Sequence, residues 1–557
     1  MVDLNRRTFM GVAGAAAAAA AGGLLAACGS SGGSTNTTKA SSTSSNDKNG
    51  KASGTPKPGG TLVVATEAED NGFNPFIASW DVTGSMYGHA LYDTLTAVDA
   101  NGDIQPYLAT SITANADNTQ FTFGVRPNIK FHDGTACDAA AIVASIKAAV
   151  ASPQNGPSLL NVADVSASAD GTQVIVKCKE PWTAFPYYLS GTDGTILAPA
   201  MLSAKDGGNR NPIGTGAFTF VEWVPNDHLT VKKNPNYWRQ GLPYLDQVTF
   251  KPIPDHLARE NSLKAGDIDI MHTDDEQFAH DFSTNPGKFQ YINDLGNTAT
   301  EHEMHFLMIN CAQAPLDDVR VRQALAYATD RNKVIQIANA GITPDSTGPY
   351  TKGSKYYAPT GYPSYDPTKA KALIAEYEKD KGPLPTIALT TVTDAKDLQR
   401  IQLIAGIWEQ NAGIKTQISQ VEQSQYIVQA LLGNYQVRDW RQFSAADPDE
   451  NYVWWSTLTA SPIGKLALNF ARNKDDQIQA DLEKGRTAGD SATRVAAYQD
   501  IAKRFGQDVP YLWINQTVWS VAAAPNVMNF NGATLPDGKP ELGMTAGFIN
   551  VREIWKA

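Results

Sequence analysis

The chain has 557 residues, 42% of them hydrophobic and 18% charged, and a net charge of −11. Such a composition is globular, and the length suits two or three lobes. The acidic balance argues against nucleic acid and anionic headgroups as partners.

Residues 1–27 read as a signal peptide. The paired arginines of Asn5-Arg6-Arg7-Thr8-Phe9-Met10 precede a Gly/Ala-rich stretch that ends in Leu25-Ala26-Ala27-Cys28. This is the form of a twin-arginine export signal, closed by small residues ahead of a cysteine. Leu-Ala-Ala-Cys has the pattern of the bacterial lipobox, which makes Cys28 the candidate lipidation site and mature N-terminus. A plain signal with an incidental cysteine is the alternative. The run 11–27 is too short and too alanine-rich to cross a membrane. The expected location is the extracytoplasmic face of the cell membrane, reached by the twin-arginine or general secretory route, with the lipid as anchor. Residues 28–58 are almost all Gly, Ser, Thr, Asn, Lys and Pro, too polar to fold. A disordered tether of that length holds the folded body roughly 30 Å from the lipid. Cys137, Cys178 and Cys311 remain. In an oxidising compartment this odd set permits one disulfide at most, Cys137–Cys178 if one forms, with three buried thiols as the alternative.

The first folded run, Thr61-Leu62-Val63-Val64-Ala65-Thr66, reads as a strand. Further β-rich runs follow at 121–125, 174–177, 218–223, 229–232 and 248–253, interrupted by a helix over 139–150. Beyond about residue 300, helix and strand alternate. Asp318 caps a helix striped with Val321, Ala324, Leu325 and Ala328. Asp366-Pro367 opens another, with Ala370, Leu373, Ile374 and Tyr377 on one face. A strand over 386–392, a helix bearing Ile401, Ile404, Ala405 and Trp408 and ended by Gly413, and a strand over 414–418 make a β-α-β unit. Such a unit implies a parallel sheet with a right-handed crossover. The fold class is therefore mixed, α/β with an α+β character: a β-rich part first and an α/β part after it.

Enzyme motifs fail on inspection. Residues 348–355 approach a phosphate-binding loop, but Ser354 stands where lysine is required, so ATP hydrolysis belongs to a separate subunit. His302-Glu303-Met304-His305 has the wrong spacing for a zinc-binding helix, and on the strand expected there the two histidines point to opposite faces. Gly214-Thr215-Gly216 reads as a tight turn, and no Gly-x-Ser-x-Gly elbow occurs. No catalytic residue, metal or cofactor is expected.

A set of short motifs runs in order from about residue 59 to the C-terminus. It includes Leu91-Tyr92-Asp93-Thr94-Leu95-Thr96, Phe121-Thr122-Phe123-Gly124-Val125-Arg126 and Lys130-Phe131-His132-Asp133-Gly134. It continues with Pro212-Ile213-Gly214-Thr215-Gly216-Ala217-Phe218, Asn234-Pro235-Asn236-Tyr237-Trp238 and Ala265-Gly266-Asp267-Ile268-Asp269. Asp318-Val319-Arg320-Val321-Arg322-Gln323-Ala324 and Tyr365-Asp366-Pro367-Thr368-Lys369-Ala370 follow. Together these resemble the extracellular solute-binding protein family 5, the oligopeptide-, dipeptide- and nickel-binding receptors of ABC importers. The resemblance implies a two-lobe clamp of the periplasmic-binding-protein kind. Lobe I would take residues 59–90, 210–297 and 519–557, with an inserted β-rich subdomain over 91–209, and lobe II would take 298–518. Two chain crossings near those limits would form the hinge. The implied partners are a small-molecule or peptide ligand and membrane permease subunits with a separate ATPase; the expected state is a monomer.

Residues 438–455 are where the ligand is expected, since they gather Arg438, Asp439, Trp440, Arg441, Phe443, Asp447, Asp449, Tyr452, Trp454 and Trp455. Aromatic rings offer apolar area with few rotors to freeze, and buried charges pair with ligand termini. The alternative is that these tryptophans are core. Peptide binders of the family grip the ligand's α-amine with an aspartate soon after a tryptophan in this region. Here Trp440 is followed by Arg441, Gln442, Phe443 and Ser444, and acid returns only at Asp447. Either Asp447 takes the amine or the ligand lacks one, and Arg438 and Arg441 favour a carboxylate. The resemblance also places Glu67, Phe73, Asn74 and Tyr87 in the cleft, and Asn310 closes a strand beside the hinge; Asn74 before Pro75 is equally a turn former. The expected role is solute capture for an ABC importer, with a short peptide as cargo. A non-peptide solute (oligosaccharide, metal chelate or other carboxylated compound) and an exported hydrolase are the alternatives.

Overall fold

A computed structural model of the protein describes residues 45–557 apart from Ser79. The signal peptide, Cys28 and residues 28–44 of the tether lie outside the described residues.

Chain order begins with β1 (Thr61–Thr66) and α1 (Val82–Leu91). Next come β2 (Ala109–Ala114), β3 (Gln120–Val125), α2 (Ala139–Ala151), β4 (Val162–Ala167) and β5 (Gln173–Cys178). The chain then lays down β6 (Phe218–Val224), β7 (His228–Lys233), β8 (Gln247–Pro252), β9 (Ile270–Thr273), α3 (Glu276–Thr284) and β10 (Gln290–Asn293). The second part holds β11 (Met304–Ile309), α4 (Val319–Ala328), α5 (Pro367–Lys381), β12 (Ile387–Val392), α6 (Ala395–Ala412) and β13 (Thr416–Val421). It ends with β14 (Val437–Gln442), α7 (Asp476–Thr487), α8 (Ser491–Asp508) and β15 (Tyr511–Gln516), after which β16 (Ser520–Ala523) returns to the first part.

Three sheets have more than two strands. One has the order β6-β7-β8-β1-β9-β16-β10, with β8 and β9 parallel to β1 and the outer pairs antiparallel. The second has the order β13-β12-β14-β11-β15, in which β12 is parallel to both β13 and β14. The third, β2-β3-β5-β4, is antiparallel throughout. One hydrophobic core draws on residues 62–292 and 519–554, and another on residues 304–514. Hence no strand is shared between the first two sheets, and the chain passes between them twice, at 294–303 and 517–519.

Local chemistry accounts for the helices. Every one of α1 to α8 has an aspartate at its N-cap whose side chain accepts a backbone N–H: Asp81, Asp138, Asp275, Asp318, Asp366, Asp394, Asp475 and Asp490. An aspartate there satisfies an orphan donor and complements the positive end of the helix dipole. Val321, Ala324, Leu325 and Ala328 are all buried, as the stripe on α4 requires. Gly413 ends α6 in the left-handed conformation at φ 69°. A Cβ on Gly214 or Gly216 would meet the Leu91 backbone at 2.2 and 2.4 Å, so close approach to the end of α1 demands glycine at both.

One expectation needs revision. Residues 45–53 are not a structureless tether: Ser45–Asn46 pairs with Ala52–Ser53, and Asn531 N–H donates to Gly50 O at 3.2 Å. This hairpin docks through backbone hydrogen bonds, which a composition-based reading of apolar burial does not register. Of the two readings of the cysteines, the structure takes the one without a bridge: Cys137, Cys178 and Cys311 are all free thiols.

The third sheet's segment is tied to the second core by one buried carboxylate. Asp449 accepts from Trp182 Nε1 at 2.6 Å and pairs with Arg486 Nε at 3.0 Å, while Tyr188 Oη donates to the Asp449 carbonyl at 2.5 Å. Asp449→Ala leaves the Arg486 guanidinium buried without its partner, which costs about 3–5 kcal/mol. Chemical denaturation is expected to show that loss; a change under about 1 kcal/mol would mean the network is solvated in solution.

Candidate functional site

A cavity of about 750 Å³ lies between the two larger sheets, in the size range of small-molecule sites. Its walls come from both sides: Glu67 just after β1, Trp80 and Asp81 at the start of α1, and Glu303, Trp440, Arg441 and Phe443 around β11 and β14. Trp519, on the returning crossing, completes it.

The two crossings are bonded to one another. Thr517 N–H donates to Glu303 O at 2.9 Å, Asp294 N–H donates to Trp519 O at 3.1 Å, and Trp519 N–H donates to Asp294 Oδ1 at 3.0 Å. Trp519 Nε1 then reaches Glu303 Oε2 at 3.1 Å. Trp440 stacks on Tyr426 with centroids 5.6 Å apart and donates to Gln442 Oε1 at 2.9 Å. Phe443 has φ 81°, a strained value for a bulky side chain. Its ring, stacked on Phe306 at 5.1 Å and boxed by Trp455, Tyr511 and Trp513, holds it there. The chain turns at that point, and residues 442–446 wall the cavity.

Charge on the walls is uneven. Arg441 is the only arginine or lysine among the described lining residues; it forms an ion pair with Asp274 and lies 5.5 Å from the Trp519 ring centre. Five lining residues are acidic: Glu67, Asp81, Glu303, Glu450 and Glu541. Three are already occupied: Asp81 caps α1, Glu450 accepts from the Ala446 and Asp447 N–H groups, and Glu541 pairs with Arg552. Glu303 has the indole of Trp519, and the Glu67 carboxylate has no hydrogen-bond donor among the described residues. Burial raises the Glu67 carboxyl, with Arg441 opposing. Burial, with Glu67 nearby adding repulsion, pushes Glu303 up to about 8. Burial also takes Glu450 to about 8, against its backbone donors.

The residues singled out from sequence divide. Glu67, Trp440, Arg441 and Phe443 line the cavity. Phe73 and Tyr87 are core side chains, 6.5 Å apart and packed among Phe220, Trp223 and Phe250. Asn74 serves its turn, accepting from Phe76 N–H and donating to Gly207 O. Asn310 is fully buried and donates to the Gly433 and Tyr435 carbonyls. Arg438 is likewise fully buried; its guanidinium lies 3.7 Å from the Tyr426 ring centre and donates to Tyr426 O at 2.6 Å. Asp447 is bound by Arg494 at 2.7 Å. Trp455 is core, and Trp454 packs on Phe470. β11 starts at Met304, so His302 lies ahead of it, bonded to Gln516, while His305 meets Asp439 at 2.5 Å. Among the described residues no group of three or more His, Cys, Asp or Glu is placed to hold a metal ion.

Sequence reasoning missed Trp80, Asp81, Asp274, Glu303 and Trp519. Glu303 was in view within the His302–His305 motif but was weighed only for metal. Trp519 sits on the expected return crossing. Trp80, Asp81 and Asp274 carried no local signal beyond the Asp81 cap.

Comparison with known proteins follows from this geometry. The model for bacterial extracellular solute-binding proteins, family 5 (middle), matches residues 103–463. The glutathione-binding protein GsiB of Pectobacterium atrosepticum is 26% identical over 474 residues, covering 81% of this chain and 88% of the relative. The structure of AgaA from A. tumefaciens R10 in complex with agropinic acid superposes with a TM-score of 0.77 at 25% identity, over 89% of this chain and 99% of that one. The oligopeptide-binding protein AppA of Bacillus subtilis, in complex with a nonapeptide, has a TM-score of 0.77 at 22% identity, over 90% and 100%.

A pH effect follows from the raised carboxyls. Unfolded, Glu303 and Glu450 titrate near 4.3; folded, both lie at about 8. The folded state keeps protons that the unfolded chain gives up, so this contribution is full below the unfolded value and is lost as pH rises through about 8. The ligand-free protein is expected to melt higher at about pH 5.5 than at about pH 8, and Glu303→Gln should flatten the difference. Equal melting temperatures at the two pH values would show these carboxyls to be solvated.

Proposed function

We propose that this chain, which belongs to the bacterial extracellular solute-binding proteins of family 5, captures a short peptide between two lobes and delivers it to a membrane permease. It is a substrate-binding protein of an ABC importer. Members of the family are extracytoplasmic, and among the described residues no helix is long and apolar enough to cross a membrane. ATP hydrolysis belongs to the partner subunits.

The observation carrying the peptide reading is the cavity itself, a room of about 750 Å³ with aromatic walls, one guanidinium and several carboxyl groups. That combination suits a zwitterion with apolar substance between its charges. The name of the GsiB relative points the same way, since glutathione is a short peptide. The lobes proposed are 59–90 with 210–297 and 519–557, carrying the insertion 91–209, against 298–518; the two hydrophobic cores support this division. A ligand that touches both lobes makes contacts available only when they are shut, so it shifts the population toward closure. Cys28 is proposed as the lipid-bearing residue that keeps the protein at the membrane. A carboxylated non-peptide solute is the second reading, favoured by the likeness to AgaA with agropinic acid.

Thermal-shift measurements separate the readings. Stabilisation by di- to pentapeptides is expected; stabilisation by sugars or carboxylated chelates instead would move the cargo to the second reading, and product formation from a bound compound would make the protein an enzyme. Arg441→Ala is expected to weaken binding of carboxylated ligands by about tenfold or more. Its half-exposed pair with Asp274 contributes at most about 1 kcal/mol to the ligand-free fold, so unchanged affinity would remove Arg441 from the site. Cys28→Ser is expected to shift the protein from the membrane fraction to the soluble one; retention in the membrane fraction would sink the anchor.

A further inference from the structure

We infer that Glu67 and Glu303 form the seat for a cationic group of the solute, an alkylammonium or guanidinium, in the cavity that Trp440 and Trp519 also line. This rests on reading the cavity as the solute site. Three observations carry it.

The first concerns which carboxylates are free. Of the five acidic side chains on the cavity wall, Asp81, Glu450 and Glu541 are occupied by a helix cap, two backbone N–H groups and Arg552. Among the described residues Glu67 is left with no hydrogen-bond donor, and Glu303 with one indole N–H. Both side chains are half-buried on the wall, and an incoming cation supplies the donors they lack. The second concerns position. Glu67 follows β1 on one side of the cavity and Glu303 precedes β11 on the other, and the charge of Glu67 acts on Glu303. A cation between them bonds to both sides at once and so favours the closed arrangement. The third concerns the surroundings. Trp440 and Trp519 both line the cavity, and Arg441, the only lysine or arginine among the described lining residues, is held by Asp274. Asp447, the acid nearest in sequence to the Trp440 stretch, is bound to Arg494 and lines no part of the cavity.

The test uses purified full-length protein and four probes measured by calorimetry and thermal shift. Trialanine carries an α-ammonium, N-acetyl-alanyl-lysyl-alanine only a side-chain ammonium, putrescine two ammonium groups with no carboxylate, and N-acetyl-trialanine none. The first two, and putrescine more weakly, are expected to bind at least about tenfold tighter than N-acetyl-trialanine. The advantage should fall in both Glu67→Gln and Glu303→Gln, and whichever ammonium source binds tighter identifies the group seated. Circular dichroism of each variant checks that it is folded, and two independent variants guard against the loss of one. Equal binding of N-acetyl-trialanine, or a cation advantage intact in both variants, overturns the inference while the solute-receptor reading stands. Silence from every probe overturns the inference and counts against the cavity as the solute site.

Discussion

The hydrogen bonds between the two crossings govern what the rest of the molecule can do. The sheet containing β1 and the sheet containing β11 share no strand, so only the segments at 294–303 and 517–519 join them through the backbone. Those segments hold each other through Thr517 N–H to Glu303 O and the reciprocal bonds of Asp294 and Trp519. The crossing therefore delivers Glu303 and Trp519 to the cavity as a bonded pair. Rotation of one core against the other must pivot on this short double strand, since its backbone donors are already paired.

Around that pivot, contacts of a different kind link the two cores. Lys396 at the start of α6 pairs with Asp275 at 3.0 Å and with Glu276 at the start of α3, and Asn339 donates to Glu276 at 2.5 Å. Arg441 pairs with Asp274 in the same neighbourhood. On the far side, Trp182 and Tyr188 meet Asp449 and Arg486. Apolar packing crosses the cleft far less than these polar pairs do, because the two cores are separate clusters. Parting such contacts exposes less area than parting a continuous apolar interface would, but the buried charges among them, Asp449 and Arg486 above all, must then be rehydrated.

The electrostatics of the cleft follow from its partial dryness. Ten carboxylates are committed to structure elsewhere: eight cap helices, and Asp439 and Asp449 are locked by Arg400 and Arg486. On the cavity wall Glu67 and Glu303 are short of donors, and burial makes ionisation unfavourable until a partner arrives. Glu67 and Glu303 are thus poised to reward a ligand that brings the missing charge.

Short-range pattern in the sequence was enough for the aspartate caps, the stripe on α4, the β-α-β unit ended by Gly413, and the family likeness. The first three are decided within a few residues by helix and strand periodicity or by a cap, and the likeness by a set of motifs spread along the chain. It also brought Glu67, Trp440, Arg441 and Phe443 into view. The occupant of each charge was beyond it: Asp447 goes to Arg494, Arg438 to the Tyr426 ring, Asn310 to two carbonyls, and Glu67 to nothing. Trp519 and Glu303 meet across more than two hundred residues of chain. Local propensity is blind to such pairings, because they are set by where two separately folded cores bring distant segments to rest, and only the tertiary structure decides which buried charge is left wanting a partner.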